Sequence, residues 1–427
     1  MNRRHVLHSL GIADWEEALA PGWDRITARL PETIPFLEPD YVRWACEQAY
    51  LPPEVTHLAQ AAAGRIAAQP ALRALAWYCH CRLFAPGETR PNPRDWPLLT
   101  QALGADAGLF NLLLLLSGTP AMQEVHRARG IPAEVVRATV LDLKLHLETG
   151  DYRLEHGRWG IGTGILGWLL LHWWGQLYRL GRLQFVPSEF RSPLRAYRHQ
   201  QTGAVVALSE PGLTYRSDGQ RDGSAGVYDP EGRWTTTLEV RAGEVIGYPI
   251  SPWGYALPEP VSLPEAEWAL ALAPGHPVLD IHIPAGEPMD FDRCGDSIRQ
   301  ALDFFPRHFP DKPFVGFACH SWILDSQFPD LLPPSSNLVR FQREVYLFPI
   351  PRGGGLIHRV FGYGFEERDG TVSPEDLARL PRRTTMQRAF AAHLEAGGRF
   401  RGGGCFLLKE DANWGSAYYR TRWPLKQ

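Results

Sequence analysis

One strand–helix–strand unit in the second half of the chain constrains its fold more than any other feature. Val278–Ile283 alternates, with Leu279, Ile281 and Ile283 on one face and Asp280 and His282 on the other. From about Phe291 to Phe305, Cys294, Ile298, Ala301, Leu302 and Phe305 recur at helical spacing, and Asp290 or Asp292 can cap the start. Pro313–Cys319 reads as the next strand. A crossover of this length joins parallel neighbours, so the sheet must hold a parallel pair. Around it the pattern is different. Strand-like runs at 203–208, 213–216, 226–229, 234–240 and 244–250 are separated by turn signals such as Pro211-Gly212 and Asp218-Gly219, which predict antiparallel hairpins. Downstream, the spacing predicts helical segments at 325–332 and 337–343, strands near 345–350 and 357–365, and a hairpin turn at Arg352-Gly-Gly-Gly355. A helix from about Met386 to Ala396 and a last strand at 404–408 follow.

The first part of the chain reads as helical. Val55, Leu58, Ala59, Ala62 and Ile66 follow Pro52-Pro53 at helical spacing, and Leu72, Leu75, Ala76, Cys79 and Leu83 repeat the pattern. Val136, Val140, Leu143 and Leu147 form a further stripe between Pro132 and Gly150. The expectation is therefore an α+β protein. Residues 1–150 form a helical domain, and 151–427 form a mixed, mostly antiparallel sheet with one parallel βαβ step.

Composition narrows the function classes. The 427 residues carry a net charge of −3. That argues against a general polyanion binder and leads us to expect no nucleic-acid partner. The Gly397–Gly404 segment, which could wrap phosphates, reads better as a helix end and loop. Six cysteines scattered through the chain without a credible leader suggest reduced thiols and a cytoplasmic location. No membrane association is expected. The apolar run Leu109–Leu116 is too short to span, and 161–178 holds four glycines and suits a buried helix. Cys79-His80-Cys81 lacks a second pair of ligands at zinc spacing, so no metal is expected. Gly162-Thr-Gly-Ile-Leu-Gly167 matches G-x-G-x-x-G, but no strand precedes it, and close helix packing accounts for its glycines better.

Several motifs, in order, carry a family resemblance over 150–405. They include Leu180-Gly-Arg-Leu-Gln-Phe185 after a Trp-rich helix, Gly247-Tyr-Pro-Ile250, and Leu279-Asp-Ile-His-Ile-Pro284 with Gly286. Further matches are Ser297 and Ala301, Cys319-His-Ser-Trp-Ile-Leu-Asp325, Ser336-Asn337 with Phe341-Gln342, and Thr385-Met-Gln-Arg388. In these the chain resembles a bacterial family of N-acyltransferases with a helical N-terminal domain and a GNAT-like C-terminal domain. The resemblance implies transfer of an acyl group from acyl-coenzyme A, as cosubstrate, to a small-molecule or peptide amine. One departure stands out: Pro284-Ala-Gly-Glu-Pro-Met-Asp-Phe-Asp292 holds one glycine and three carboxylates where the family's pyrophosphate loop is glycine-rich with a cation.

On that resemblance, His282 faces the cleft as the base that deprotonates the amine; an ordinary histidine pKa of ~6.5 suits this at neutral pH. Ser321 or Cys319, at the end of the second parallel strand, is the candidate proton donor to the leaving thiolate, and Cys319 is a possible nucleophile. Pro284, Gly286, Ser297 and Asn337 are the candidate cofactor-binding positions, although Asn337 could equally cap a helix. The altered loop also leaves open a GNAT-shaped module that binds a ligand or peptide without catalysis.

Overall fold

The computed structural model describes residues 2–351 and 355–425. The chain divides into two compact units, Met1–Leu180 with Pro284–Gly286, and Gly181–Ile283 with Glu287–Gln427.

The first unit is helical throughout its core. Its centre is the helix Ala107–Ser117, every residue of which is buried. Against it pack Pro53–Ala68, Pro70–Phe84 and Thr163–Trp173. The stripes expected from the sequence are buried, except that Val136 is half-buried and Leu58 faces solvent. Helical segments over Thr100–Ala128 together are long and apolar enough to cross a membrane by length and composition, but most of that stretch is buried inside the unit. Gly162 precedes the helix Thr163–Trp173, with no strand before it. A Cβ at Gly162 or Gly164 would meet nothing within 4 Å, so packing does not demand these glycines. His80 is a core residue. Its Nδ1 lies 2.8 Å from Ser117 Oγ, its ring sits 4.8 Å from that of Phe36, and burial pushes its pKa down to about 4.

One polar cluster lies inside this unit. Asp142 Oδ2 receives the Trp168 indole N–H at 3.0 Å and lies 3.1 Å from His172 Nε2 and 3.5 Å from His146 Nε2. Burial alone would raise the Asp142 pKa, but the hydrogen bonds and charge of the two histidines hold it well below the usual carboxylate range.

The second unit contains a mixed sheet. In chain order its strands and helices are β1 (Leu183–Glu189), β2 (Pro277–His282), α1 (Phe291–His308), β3 (Gly316–Ser321), α2 (Asn337–Glu344), β4 (Tyr346–Pro349) and β5 (Gly403–Leu408). The spatial order is β1-β2-β3-β5-β4. Only β2 and β3 are parallel; β1–β2, β3–β5 and β5–β4 are antiparallel. The α+β architecture, helical unit first and one parallel step in a mostly antiparallel sheet, is therefore as the sequence implies. α1 covers the sheet face that carries Phe185 and Phe317, with Phe305 6.4 Å from Phe185 between ring centres. A second antiparallel sheet is built on Leu194–His199 and Val205–Ser209.

Some local expectations change. Residues 356–361 form a helix, not a strand. Leu356, Ile357, Val360 and Phe361 are buried while His358 and Arg359 lie between them, which is helical spacing. The expected hairpin turn falls largely on 352–354, outside the described residues. No strand forms at 226–229, where a short 3₁₀ turn covers Ser224–Gly226.

Replacing Asp142 with alanine should lower unfolding free energy at pH 7 by about 2–4 kcal/mol, because the buried donors around it lose a charged acceptor. The folded carboxyl has a depressed pKa. Its stabilisation is thus complete above the ordinary aspartate pKa of ~3.9 and fades as pH falls through the lower folded value. Urea unfolding of both proteins at pH 7 and in acid should show the difference shrinking with acidification.

Candidate active site

The parallel ladder between β2 and β3 is short. It pairs Val278 with Gly316, Leu279 with Phe317 and Asp280 with Ala318, and then stops. Neither strand ends there. β2 stays paired with β1 through His282↔Gln184, and β3 stays paired with β5 through Ser321↔Gly403. Each strand follows its antiparallel partner, so the two diverge beyond Asp280 and Ala318. Along the edges of this gap the main chain of 281–282 faces that of 319–321 without a shared ladder.

Register fixes what faces where, because ladder partners share a sheet face and successive residues alternate. One face carries Leu279, Ile281, Phe185, Phe317, Cys319 and Cys405, and is buried on the side of α1. The other carries Asp280, His282, Gln184, Ala318 and His320. Carrying the parallel register two residues past its end would set His282 level with His320.

On this second face, His282 and Asp280 are half-buried. Gln184, the ladder partner of His282, is 1% exposed, and its amide nitrogen has no hydrogen-bond partner. His320 is exposed, and its Nε2 lies 2.8 Å from Oγ of the buried Ser192. Its ring meets Phe348 edge-on at 5.8 Å. Phe348 lies over Gly404, where a Cβ would come within 2.1 Å of the phenyl ring. Desolvation by the surrounding protein lowers the His320 pKa, and the Asp280 carboxylate partly opposes this.

The candidate residues are thus only partly brought together. His282 is on the open face, as expected. Cys319 is not: it is buried on the α1 side, opposite Cys405 in the ladder, so its thiol points away from His282. Ser321 alternates with His320 and so shares the parity of Cys319; its hydroxyl receives the Ile323 N–H at 3.4 Å at the start of a 3₁₀ turn. Ser297 is fully buried. It accepts the Arg182 N–H at 2.8 Å and the Leu183 N–H at 3.3 Å, and donates to Arg293 O at 2.9 Å. Its hydroxyl ties β1 to α1 and has no capacity left for a ligand. Sequence reasoning passed over Gln184, Ser192 and His320. The signal for His320 was present, since alternation from Phe317 puts position 320 on the face of Asp280.

The loop between β2 and α1 is held by Arg182, whose guanidinium donates to Glu287 O at 2.7 Å and Pro288 O at 2.8 Å. Gly286 adopts φ +88°, and a Cβ there would lie 3.2 Å from Leu145 Cδ1. Pro284 and Gly286 belong to the segment that groups with the helical unit. Asp290 caps α1 by accepting the Arg293 N–H at 2.9 Å, and Glu287 is paired with the Arg293 side chain at 2.6 Å. Arg340 of α2 stacks on Phe291, the first residue of α1, at 3.8 Å. Asn337 opens α2; neither it nor Ser336 makes a side-chain cap there. Gly403 and Gly404 lie in β5, where a Cβ on either would clash, so packing accounts for these two glycines of the segment. Among the described residues no group of three His, Cys, Asp or Glu could hold a metal ion.

A mixed sheet with one parallel step that opens into a gap, with a crossover helix between the two strands, is the GNAT-like architecture. The sequence model of the GNAT-like C-terminal domain matches residues 177–407, and the chain belongs to that family. The model of the N-acyltransferase N-terminal domain matches residues 40–175. Solved structures share the fold over almost the whole of both chains. An acyltransferase in complex with decanoyl-CoA and teicoplanin is 23% identical, with a TM-score of 0.63, covering 96% of this chain and 99% of the other. An acyltransferase in complex with CoA and 10C-teicoplanin is also 23% identical, covers the same shares, and has a TM-score of 0.62. No curated protein sequence matches this chain.

Ser297→Ala should destabilise the protein by about 1–3 kcal/mol, because two buried N–H groups lose their acceptor. Coenzyme A thioester affinity in the folded protein should stay within twofold. Thermal melts and calorimetric titration of the same preparation separate the two effects, and a large affinity loss without destabilisation would return Ser297 to the ligand site.

Proposed function

We propose that this chain is an N-acyltransferase that moves an acyl group from acyl-coenzyme A to an amine by direct transfer. The observation that carries the reading is the early end of the β2–β3 ladder. It opens a gap in the sheet whose walls offer main-chain groups to a thioester carbonyl, with His282 beside it. His282 accepts a proton from the attacking nitrogen, and Gln184 supplies an unused donor next to it. The phosphate end is also served. Arg340 stands at the start of α1, and Arg293 neutralises Glu287, one of the loop's three carboxylates.

The fold neighbours solved with decanoyl-CoA, octanoyl-CoA and teicoplanin support a medium-chain acyl donor and a peptide-like or other small-molecule acceptor. The described cysteines are all thiols, which fits a reducing cytoplasm.

Calorimetric titration with acetyl-, octanoyl- and decanoyl-coenzyme A, with free coenzyme A as control, tests the donor. Thiol release on adding primary amines tests transfer. The expectation is micromolar binding that depends on the acyl group. His282→Gln should lower kcat by about 10²-fold or more at nearly unchanged thioester affinity. Absence of thioester binding would leave the second reading, a GNAT-shaped binding module, which the single-glycine loop at 284–292 favours. Cys319→Ala should retain transfer, because the thiol lies on the buried face; loss of turnover in a folded variant would contradict that placement.

A further inference from the structure

We propose that His320 is a second proton-transfer residue of this site, which removes the first proton from the acceptor ammonium and passes it to solvent, with Ser192 as its positioning residue. The inference rests on the acyl-transfer reading and divides its proton work between two histidines.

The need for two acceptors follows from atom balance. A primary amine with a pKa near that of lysine, ~10.4, arrives as an ammonium with three protons. The amide product keeps one, so two must leave. In the proposed sequence, His320 takes the first and releases it to water. The freed nitrogen then bonds to the thioester carbonyl carbon. The C–S bond breaks with its electron pair passing to sulfur, and the second proton goes through His282 to the thiolate. Both histidines end neutral, and the net release is one proton.

The structure supports this division. His282 and His320 project from the same sheet face on the two strands that bound the gap, at the level where the ladder has ended. His320 is the exposed member and His282 the half-buried one, which suits transfer to bulk water and to an enclosed thiolate respectively. In the tautomer whose Nε2–H donates to Ser192 Oγ, 2.8 Å away, the Nδ1 lone pair of His320 is the proton acceptor. Phe348, lying over Gly404, closes the other side of the ring and adds no charge. Of the groups on its sheet face, Asp280 of β2 acts on His320 by its charge, and His282 lies on the same face. The lowered His320 pKa keeps the ring neutral at pH 7, and the Asp280 carboxylate favours the imidazolium once the proton arrives.

The test compares two acceptors with decanoyl-coenzyme A as donor: a primary alkylamine, and hydroxylamine, which is already neutral at pH 7. Thiol release is followed for wild type, His320→Gln, His320→Asn and His282→Gln, with a thermal melt of each. The His320 variants should lose about 10²-fold in kcat/KM with the alkylamine at pH 7, recover as pH approaches the amine pKa, and stay close to wild type with hydroxylamine. His282→Gln should be impaired with both acceptors at every pH. Ser192→Ala should show a weaker form of the His320 pattern, about tenfold, and Ser192→Thr should restore activity. A His320 variant that is fully active, or equally impaired with both acceptors at all pH, overturns the inference and leaves the transfer reading intact. Wild-type protein that releases no thiol with either acceptor overturns the transfer reading itself.

Discussion

The site depends on a competition that β2 and β3 each resolve in favour of another neighbour. A strand in a sheet centre can follow two partners only while their twists agree. β2 holds β1 through six register pairs, and β3 holds β5 through six, whereas the two share only three. The parallel pair therefore opens, and the opening falls where the alternation has just brought His282 and His320 onto the same face. The aromatic packing of Phe185, Phe305 and Phe317 on the other face keeps α1 fixed across the strands that separate. The gap is thus a consequence of sheet bonding and does not require strain.

Electrostatics around α1 soften the departure seen in its loop for two of the three carboxylates. Three bare carboxylates before a helix N-terminus would repel a phosphate placed there. Asp290 is occupied as the cap, Glu287 is paired with Arg293, and Arg182 braces the loop through two carbonyls. Arg340, arriving from α2, puts a cation at the first residue of α1.

The sheet's parallel step, its crossover helix and the role of Asp290 were legible because each follows from local periodicity or capping. The open face was legible at His282, where Leu279 and Ile281 declare the buried side. It was misread at β3, because the sequence places Cys319, His320 and Ser321 side by side and only the parity set by Phe317↔Leu279 decides among them. Ser297 entered as a ligand candidate through the family resemblance; its partners, the N–H groups of Arg182 and Leu183, are more than a hundred residues away in sequence. Gln184 and Ser192 were invisible for the same reason, since each matters only through a register or a contact with a distant strand. At 356–361 a helix replaces the strand expected near 357–365, because burial on a single side with two polar residues between is helical spacing.

The most direct test of the account is a structure of the protein with a non-cleavable ketone analogue of decanoyl-coenzyme A, in which carbon replaces the thioester sulfur. The account predicts the analogue's carbonyl in the gap beyond Asp280 and Ala318, hydrogen-bonded to main chain of the diverging strands, with His282 and His320 on the side from which the amine approaches. An analogue bound elsewhere, or strands that close the gap with a continued ladder, would contradict it.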